Sequence, residues 1–424
     1  MHTPLPQFVL IIPDGAADRN CDLGGTPLEV ARTPAMDFIS RSGINGLVQT
    51  LYEQLPRESL VAQLGIMGWD PLRYYPNGRA SAELRGFSSV DLSAGDLAFR
   101  ANFVRMNDDV LVSYNAGYTT SRIAEPLIHR LVSSLSEPFP EFELYHQSDF
   151  RNTLVLRNTS IDAGELVCPE PHESHGERFD LRNLVQPLTS GARPVARRIN
   201  EYVTAAAELL AGEPANALFP WSPSRPLRLP PFHEVAAWKG RSAVVASMEF
   251  LLGIGSAGGL ETFRVGNGRP DTPYPAKGAK VLELLADNSE LVICHINAPD
   301  EASHMRDLDC KIRCLEQVDR HIVTPVLNYF HRHPERLGGV MVVPDHYSNT
   351  LVGPAACLRR EAHSLDPVPF ALWNGCKSDA CVAYSEKHAR RGIYAAPLRS
   401  LDLLPLLLSR TPAGVEAGHA GAII

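Results

Sequence analysis

Residues 7–15 read QFVLIIPDG, a short apolar run with branched side chains that ends at Pro13, Asp14 and Gly15. Such a run is typical of a strand that is buried on both faces of a parallel sheet. The proline and the glycine break the strand, and the aspartate places a carboxylate in the loop that follows. This stretch therefore predicts a buried strand with an acidic residue at its carboxyl end.

Two later stretches repeat this pattern. In the first, residues 290–296 (ELVICHI) lead into residues 297–300 (NAPD). In the second, residues 339–343 (GVMVV) lead into residues 344–346 (PDH), and residues 307–329 between them place apolar side chains at helical spacing. Strands that alternate with helices in this way are typical of a doubly wound α/β sheet, mostly parallel with helices on both faces. Because ligands collect at the carboxyl ends of such strands, we expect the three aspartates at one edge of the sheet.

The middle of the chain has a different pattern. From about residue 79 to residue 238 the apolar runs are shorter, and residues 214–232 (PANALFPWSPSRPLRLPPF) are dense in proline. Because proline lacks an N–H donor, that stretch cannot be a central strand or a helix interior, and we expect an extended, well-packed loop. We predict a discontinuous core domain, residues 1–78 and 240–424, and a smaller inserted α+β domain, residues 79–239.

The composition excludes several classes of function. The 424 residues carry 40 Lys+Arg and 48 Asp+Glu, a net charge of −8, whereas a protein that coats nucleic acid needs a basic surface. With 44% hydrophobic and 21% charged residues, wholesale disorder is also excluded. No apolar run approaches the roughly 20 residues of a membrane span, and the first residues lack the pattern of a signal peptide. We expect a cytoplasmic protein that binds neither nucleic acid nor a membrane.

Aspartate and histidine recur where the predicted strands end. Asp300 and His304 are four residues apart, so at the start of a helix they would share one face and one metal. Asp345 and His346 are adjacent and could serve two neighbouring metals, or one metal through a bent loop. The whole set is Asp14, Asp300, His304, Asp345, His346 and His363. Three carboxylates and three imidazoles without cysteine suit Mn²⁺ or Zn²⁺, whereas helix capping and quiet packing do not readily explain six such residues on strand-end loops.

Two interpretations of Ser59 are open on the residues alone. It lies in residues 56–63 (PRESLVAQ), just before an apolar helical stretch, where a serine is commonly a helix N-cap. The chain lacks the G-x-S-x-G turn of the α/β-hydrolases around this serine, so a His-activated triad is not indicated. A metal-coordinated alkoxide is the other route to a serine nucleophile.

Residues 253–258 (GIGSAG) fit the dinucleotide-binding pattern G-x-G-x-x-G. The residues that follow, GLETFRVGNGRPDT, are typical of a strand and a loop. The phosphate-binding turn of a dinucleotide site must instead open a helix. We therefore predict no dinucleotide site in this stretch.

Taken together, these residues resemble the archaeal-type 2,3-bisphosphoglycerate-independent phosphoglycerate mutases of the alkaline phosphatase superfamily. The resemblance covers nearly the whole chain. The matching stretches are VLIIPDGAAD, LGGTPLEVARTPAMD, SLVAQLGIMGWDPLRYYPNGR, GDLAFRANFV, EPANALFPW, HINAPDEASH, VVPDHYSNTL and AHSLDPVPF. The resemblance implies an alkaline phosphatase-like fold and a metal-dependent phosphotransferase. It further implies that the enzyme interconverts 3- and 2-phosphoglycerate, a step of glycolysis, through a phosphoserine.

The resemblance also implies two divalent metal ions, with Mn²⁺ expected and Zn²⁺, Co²⁺ or Mg²⁺ as alternatives. The implied ligands are Asp300, His304 and His363 for one metal, and Asp14, Asp345 and His346 for the other. Ser59 would join the two metals and attack the phosphate of the substrate in line.

The inserted domain is expected to hold the substrate, a small phosphorylated carboxylic acid. Arginine suits this task because its planar fork matches phosphate and carboxylate bidentately. The implied substrate-binding residues are Arg100, Arg151, His172 and Arg225. Lys277 matches a catalytic lysine near the phosphate.

Several substrate-handling positions depart from the pattern of the family. The departures are Leu60 for an aspartate, Tyr118 and Asn152 for histidines, and Ser222 and Ser224 for glycines. Because the metal set is intact, phosphoryl chemistry is better supported than mutase specificity. The alternatives are a phosphohydrolase or mutase-like enzyme acting on another small phosphorylated or phosphonylated acid, and a non-catalytic homologue that keeps the fold.

Overall fold

A computed structural model describes residues 5–172, 174–350, 363–376, 378–379 and 381–409. Leu351 and Ala362, each at one end of a stretch that carries the family resemblance, lie outside these ranges. The described residues fall into two compact units. The first unit is drawn from Met1–Arg73, Pro230–Met248 and Gly258–Ile424, and the second from Tyr74–Leu229 and Glu249–Ala257.

The regular elements are numbered in chain order. The strands are β1 (Gln7–Pro13), β2 (Ile44–Gln49), β3 (Leu97–Asn107), β4 (Val110–Ser113), β5 (Phe142–Ser148), β6 (Arg151–Leu156), β7 (Leu166–Val167), β8 (Gln186–Pro187), β9 (Ala217–Ser224), β10 (Ser242–Ala246), β11 (Glu261–Arg264), β12 (Leu291–Ile296), β13 (Leu337–Val342), β14 (Tyr347–Ser348), β15 (His363–Ser364), β16 (Val368–Trp373) and β17 (Tyr394–Arg399). The helices are α1 (Pro27–Val30), α2 (Pro34–Ser42), α3 (Ser59–Ile66), α4 (Pro71–Tyr74), α5 (Ala80–Phe87), α6 (Ser121–Leu135), α7 (Arg193–Leu209), α8 (Phe232–Val235), α9 (Glu249–Ala257), α10 (Tyr274–Ala286), α11 (Ala298–His304), α12 (Leu308–Val318), α13 (Thr324–Arg332), α14 (Glu386–Ala389) and α15 (Leu403–Leu408). Short 3₁₀ turns occupy Ala163–Glu165, Leu181–Asn183, Pro334–Arg336 and Ser400–Asp402.

An eight-stranded sheet forms the centre of the first unit. Its strand order is β11-β10-β12-β1-β13-β16-β2-β17, and β16 alone among these strands runs antiparallel to its neighbours. Every residue of β1 is buried, which requires cover on both faces of the sheet. The prediction of a mostly parallel sheet is confirmed, and the three predicted strands β12, β1 and β13 lie side by side.

The predicted helix over residues 307–329 consists of three consecutive helical segments. Helix α12 begins after Asp307, whose side chain accepts a hydrogen bond from the amide of Cys310 at 2.8 Å. A π-helical turn, Asp319–Val323, connects α12 to α13 without leaving the helical region of backbone conformation. Apolar side chains from all three segments pack into the core of the first unit.

The second unit is built on an antiparallel sheet of order β4-β3-β6-β5, with β9 paired to β3. Its core includes apolar side chains from this sheet and from the long helices α6 and α7. The expectation of a loop across residues 214–232 is wrong for β9, which contains Pro220 and pairs it with Ala101. Within the described ranges β9 is bonded along one side only, and an edge strand tolerates proline because one row of its backbone groups needs no partner.

The GIGSAG stretch is part of helix α9 in the second unit rather than a turn between strand and helix. A Cβ atom built on Gly253 would lie 1.9 Å from the carbonyl oxygen of Ala82 in α5. In the same way, a Cβ on Gly86 of α5 would lie 1.9 Å from the carbonyl oxygen of Glu249. The glycines therefore allow two helix backbones to touch, which is a structural role.

Candidate active site

Six side chains, which we call the ligand cluster, come together at the carboxyl ends of the adjacent strands β12, β1 and β13. They are Asp14 after β1, Asp300 and His304 in α11 after β12, Asp345 and His346 after β13, and His363 in β15. The short ladder between β14 and β15 pairs His363 with Ser348 and so brings this histidine to the β13 loop. The parallel order of the three strands explains why residues about 330 positions apart in the sequence converge.

The ligand cluster contains two groups whose oxygen and nitrogen atoms are suitably spaced for a metal ion. One group is Asp14, Asp345 and His346, and the other is Asp300, His346 and His363, with all donor atoms of a group within 4.8 Å of one another. Asp14, Asp345 and His346 are completely buried. His346 belongs to both groups, which makes it the centre of the arrangement.

The second group differs from the set that the resemblance implies, because His346 takes the place of His304. His304 lies farther out, with 45% of its side chain exposed, and its Nε2 is 3.3 Å from the Oδ2 of Asp300. Its ring centroid is 5.4 Å from that of His363. His304 therefore remains beside the group, on the other carboxylate oxygen of Asp300.

The nitrogen atoms of His363 are arranged as a metal ligand requires. Its Nδ1 donates a hydrogen bond to the carbonyl oxygen of Arg57 at 2.9 Å, which leaves the lone pair on Nε2. That Nε2 is buried and has no hydrogen-bond partner among the described residues, and it lies 3.5 Å from the Oδ1 of Asp300. A backbone contact that fixes the tautomer of an imidazole is the usual support of a ligating histidine. The residues present therefore fit a divalent metal.

The protonation states of the buried groups also suit a cation. Burial opposes ionisation of Asp300, but His304 and His363 beside it hold its pKa well below its ordinary value. Burial lowers the pKa of His346 to about 4, so this imidazole is neutral at pH 7. Metal ions bind ionised carboxylates and neutral imidazoles, and both are present before any ion binds.

Ser59 is the first residue of α3, and Glu58 occupies the N-cap position, so the N-cap interpretation of Ser59 is wrong. The hydroxyl Oγ of Ser59 lies 3.1 Å from the Nε2 of His346 and is buried. Ser59 therefore points into the ligand cluster, at the imidazole that both groups share. Its position at a helix N-terminus also favours negative charge, because the first amides of a helix point toward the ligand.

Three buried polar residues that the sequence did not single out contact the ligand cluster. Nε2 of His295 lies 3.1 Å from Oδ2 of Asp14, and Gln63 Nε2 donates to Oδ2 of Asp345 at 3.0 Å. Ser348 donates to Oδ1 of Asp300. Such contacts orient the carboxylates that hold a metal. Two of these residues had a signal in the sequence, since His295 and Gln63 are polar residues inside apolar segments, LVICHI and SLVAQLGI.

Gly15 allows the loops of the ligand cluster to approach closely. Its φ is +60°, a conformation that favours glycine, and its amide donates to Oδ1 of Asp345 at 3.0 Å. A Cβ atom at this position would lie 2.7 Å from the Oδ1 of Asp300 and 2.6 Å from the Oγ of Ser348. Any other residue would therefore push the carboxylates apart.

Lys277 is completely buried in α10, and its Nζ donates to the carbonyl oxygen of His295 at 2.7 Å. Burial lowers the pKa of Lys277 to about 8. The lysine thus contacts the backbone of β12 at the residue whose ring reaches Asp14. Lys277 therefore supports the ligand cluster indirectly, through the backbone of β12.

Two residues of the expected substrate set come together in the second unit, on the ring of Trp221. The guanidinium of Arg100 lies 4.0 Å from the Trp221 ring centroid, and its Nε is 3.0 Å from Oε2 of the buried Glu83. The ring of His172 lies 5.2 Å from the same indole. Cation–π and ion-pair contacts hold the Arg100 side chain in one orientation.

The other two arginines have different surroundings. The guanidinium of Arg151 lies 4.4 Å from the ring centroid of Phe150. Arg225 has 51% of its side chain exposed, lies 3.5 Å from Asp162 and donates to the carbonyl of Tyr75 at 3.3 Å. Neither environment is as confined as that of Arg100.

The altered positions are accommodated in distinct ways. Leu60 is fully buried in α3, whereas Tyr118 is 70% exposed. Asn152 accepts a hydrogen bond from Nδ1 of His146 at 2.8 Å, so an imidazole remains beside this position. Ser222 has φ +49°, a left-handed conformation that explains why glycine is the family's residue there.

The chain is similar to known proteins along most of its length. A profile of the 2,3-bisphosphoglycerate-independent phosphoglycerate mutases matches residues 40–216. A protein of that name from Methanothrix thermoacetophila is 34% identical over 416 residues, which covers 95% of this chain and all of the relative. Another from Methanosarcina barkeri is 31% identical over 422 residues, covering 95% of this chain and 99% of the relative.

Solved structures share the fold. A protein structure from Pyrococcus horikoshii matches with a TM-score of 0.73 and 25% identity, covering 96% of this chain and 99% of the other. The cofactor-independent phosphoglycerate mutase of Thermoplasma acidophilum matches with a TM-score of 0.60 and 23% identity, covering 95% and 99%. The second likeness concerns the fold alone. In the described part of the chain, no helix is both long and apolar enough to cross a membrane.

Proposed function

This chain belongs to the 2,3-bisphosphoglycerate-independent phosphoglycerate mutase family, and we propose that it interconverts 3- and 2-phosphoglycerate through a phosphoserine at Ser59. One observation carries the assignment of the nucleophile. The Oγ of Ser59 lies 3.1 Å from Nε2 of His346, the imidazole that both candidate metal groups share. A hydroxyl beside the imidazole that both groups share is well placed as the nucleophile of an in-line attack on phosphorus.

Two divalent metals complete this site. Asp14, Asp345 and His346 would hold one ion, and Asp300 and His363, with His304 at the outer oxygen of Asp300, would hold the other. The mixed oxygen and nitrogen donors favour Mn²⁺, with Zn²⁺, Co²⁺ or Mg²⁺ as alternatives. When bound, the ions favour the ionised hydroxyl and stabilise charge on the phosphoryl oxygens. The identity of the ions and a cytoplasmic location remain predictions.

The residues of the chain orient the reacting groups. As the bond from Ser59 Oγ to phosphorus forms, the bond from phosphorus to the glycerate oxygen breaks. The other hydroxyl of glycerate then attacks the phosphoserine, which restores Ser59 and yields the isomer. Gln63, His295 and Ser348 hold the carboxylates in position throughout, and the N-terminus of α3 favours the charge on the phosphoserine.

The inserted domain, residues 79–239, supplies the basic side chains for the substrate. Arg100 and His172, both against Trp221, form a polar pair that suits the carboxylate or phosphate of glycerate, with Arg100 nearly buried and His172 44% exposed. Arg151 and Arg225 add positive charge. Lys277, the predicted catalytic lysine, acts on the site by holding the backbone of His295, whose ring contacts Asp14.

The test is Ser59→Ala, which removes the nucleophile and little packing. Turnover of 3-phosphoglycerate with added Mn²⁺, measured by a coupled assay, should fall by about 10³-fold or more, an effect of about 4 kcal/mol. Mass spectrometry of a proteolytic digest after rapid quenching should show a phosphorylated peptide containing Ser59 in the wild type and none in the variant.

Ser289→Ala is the matched control, because this buried serine has a hydroxyl without a hydrogen-bond partner among the described residues. Its activity should stay near the wild-type value. Near-normal turnover in Ser59→Ala would remove the covalent mechanism.

A further inference from the structure

A lysine outside the ligand cluster is completely buried beside it. Lys311 lies in α12, and its Nζ donates to Oδ2 of Asp18 at 2.9 Å and to the carbonyl oxygen of Ser348 at 2.7 Å. Asp18 is also buried, with 1% of its surface exposed. Lysine is almost never fully buried unless it is paired, so this ammonium has a defined task.

Each contact of Lys311 reaches a segment that carries ligands. Asp18 lies four residues after Asp14, and Ser348 lies two residues after His346. Lys311 itself is in the helix that follows α11, which carries Asp300 and His304. One lysine therefore links three of the four segments that present the ligand cluster, and only β15, which carries His363, is not among them.

The carboxylate of Asp18 accepts further hydrogen bonds from the segment that follows β13. Its Oδ2 also accepts from the amide and the hydroxyl of Thr350, at 3.0 and 2.7 Å. The amide of Asp18 donates to Oε1 of the buried Glu386 at 3.0 Å. Directly beside these contacts, the amide of Ser348 donates to the carbonyl of Ala17 at 3.0 Å. The β1 loop and the β13 loop are thus joined through Lys311 and Asp18.

Stability alone does not account for this arrangement. A buried ion pair contributes little net stability compared with apolar residues of similar volume, because removing both charges from water is costly. Its hydrogen bonds are directional, however, and apolar residues cannot reproduce their geometry. What the pair provides is a fixed distance between loops.

We propose that Lys311 and Asp18 are positioning residues that hold the β1 loop, the β13 loop and the helix after α11 in the arrangement on which metal binding depends. The proposal rests on the proposed function in one respect, namely that the ligand cluster holds metals. The hydrogen bonds of the two residues reach neither Ser59 nor a side chain of the ligand cluster.

The experiment compares Mn²⁺ binding to metal-free wild type and to Lys311→Met, by equilibrium dialysis well below the unfolding temperature of either protein. The dissociation constant should rise about 10-fold or more in the variant, as is usual when a residue that orients ligands is removed. In the coupled assay kcat should fall while KM for 3-phosphoglycerate changes little, since the substrate is not contacted.

Two further variants separate positioning from stability. Leu315→Ala, on the same helix at a fully buried position, should lower the free energy of unfolding and leave Mn²⁺ affinity near the wild-type value. The double variant Lys311→Met with Asp18→Leu removes both charges, so it should regain stability without regaining Mn²⁺ affinity. If the double variant regained both stability and Mn²⁺ affinity, the proposal would be overturned. The two charges would then serve only to compensate each other.

If Lys311→Met does not fold, Asp18→Asn carries the same comparison, because it keeps the shape of the side chain and removes one charge. An Mn²⁺ affinity equal to wild type in this variant would contradict positioning. Failure of the wild type itself to bind Mn²⁺ would instead contradict the metal assignment of the proposed function. The two failures are therefore distinguishable.

Discussion

The ligand cluster of the first unit and the basic residues of the second unit are built in opposite ways. In the first unit, carboxylates and imidazoles, which are largely buried except for His304, lie in the segments that follow three adjacent parallel strands. In the second unit, Arg100, Arg151 and Arg225 come from different strands of an antiparallel sheet or the residue directly after one, and their exposure ranges from 9% for the Arg100 residue to 51% for the Arg225 side chain.

In the proposed function, this difference separates the residues of the reaction from the residues that bind the substrate. The ligand cluster needs only the strand order, since parallel strands deliver their loops to one edge. The arginines depend on individual neighbours, such as Glu83 and Trp221 for Arg100. Two departures from the family's pattern are in the second unit. Tyr118 is exposed to solvent, and Asn152 is bonded to the side chain of His146. We therefore expect variants of the ligand cluster to abolish the reaction, and variants of the basic residues to change its efficiency and specificity.

The largest effect is expected within the ligand cluster, from His346→Ala. Because His346 is a ligand of one proposed ion, lies beside the second group and contacts Ser59, its loss should lower kcat/KM about 10³-fold or more and reduce bound Mn²⁺ from two ions to one or fewer. His304→Ala, at a half-exposed position on the outer oxygen of Asp300, should cost about 10- to 100-fold. Metal analysis and steady-state kinetics compare the two variants, and equal losses would contradict the central place of His346 in the ligand cluster.

A smaller effect is expected for the basic residues. Arg100→Gln should lower kcat/KM for 3-phosphoglycerate about 10- to 100-fold, because a charged hydrogen bond from a confined side chain contributes about 1.5–3 kcal/mol. Arg225→Gln should change it by less than about 3-fold, since the side chain is half exposed and screened. A larger loss in Arg225→Gln would reverse this ranking of the two arginines, and thermal unfolding of each variant checks that the fold is intact.

The altered substrate positions predict a leak of phosphate to water. Tyr118 and Asn152 are poor proton shuttles at neutral pH, so glycerate should turn more slowly beside the phosphoserine and water should intercept it more often. We expect more than about one phosphate released per hundred turnovers, at an ordinary rate of about 10 s⁻¹. His146, bonded to Asn152, opposes this effect.

The ratio of phosphate released to 2-phosphoglycerate formed measures the leak directly. Tyr118→His, at an exposed position, should lower the ratio without changing stability. A wild-type ratio far below about one per hundred would show that these replacements do not impair the mutase.

The last prediction concerns stability rather than turnover, at a buried carboxylate of the first unit outside the ligand cluster. Asp319 accepts from the amides of Ala35 and Met36 at 3.2 and 2.7 Å, and burial raises its pKa to about 6. The folded protein therefore holds this proton more tightly than the unfolded chain, and the stability it provides is lost as pH rises from about 4 to about 6.

Asp319→Asn removes the titration. Relative to this variant, the free energy of unfolding of the wild type should fall by about 2–3 kcal/mol between pH 4 and pH 7, measured by urea unfolding. Asp300 shows the opposite shift, because His304 and His363 lower its pKa whereas burial raises that of Asp319. A difference between wild type and variant that does not change with pH would mean that burial of Asp319 has no such effect.

Much of the first unit was predictable because its information is local. The strands β1, β12 and β13 are contiguous apolar runs. Each contains at its end, or is followed within three residues by, a proline that breaks the strand. A window of about ten residues therefore predicts both the strand and the carboxylate after it. The helical spacing of residues 307–329 is local in the same sense. The residues of the ligand cluster and Ser59 were singled out from these patterns and from the family resemblance.

Tertiary structure alone decided what depends on distant partners. The strand pairing of β9 despite Pro220, the helix contact at Gly253 and the place of His346 in both metal groups involve backbones or side chains that are far apart in the sequence. Gln63 reaches Asp345 across 282 positions, and Lys311 reaches Asp18 across 293. Strand and helix periods follow from bonds between near neighbours, whereas the grouping of ligands depends on differences of about 1 Å between loops, which arise only when the whole sheet has formed.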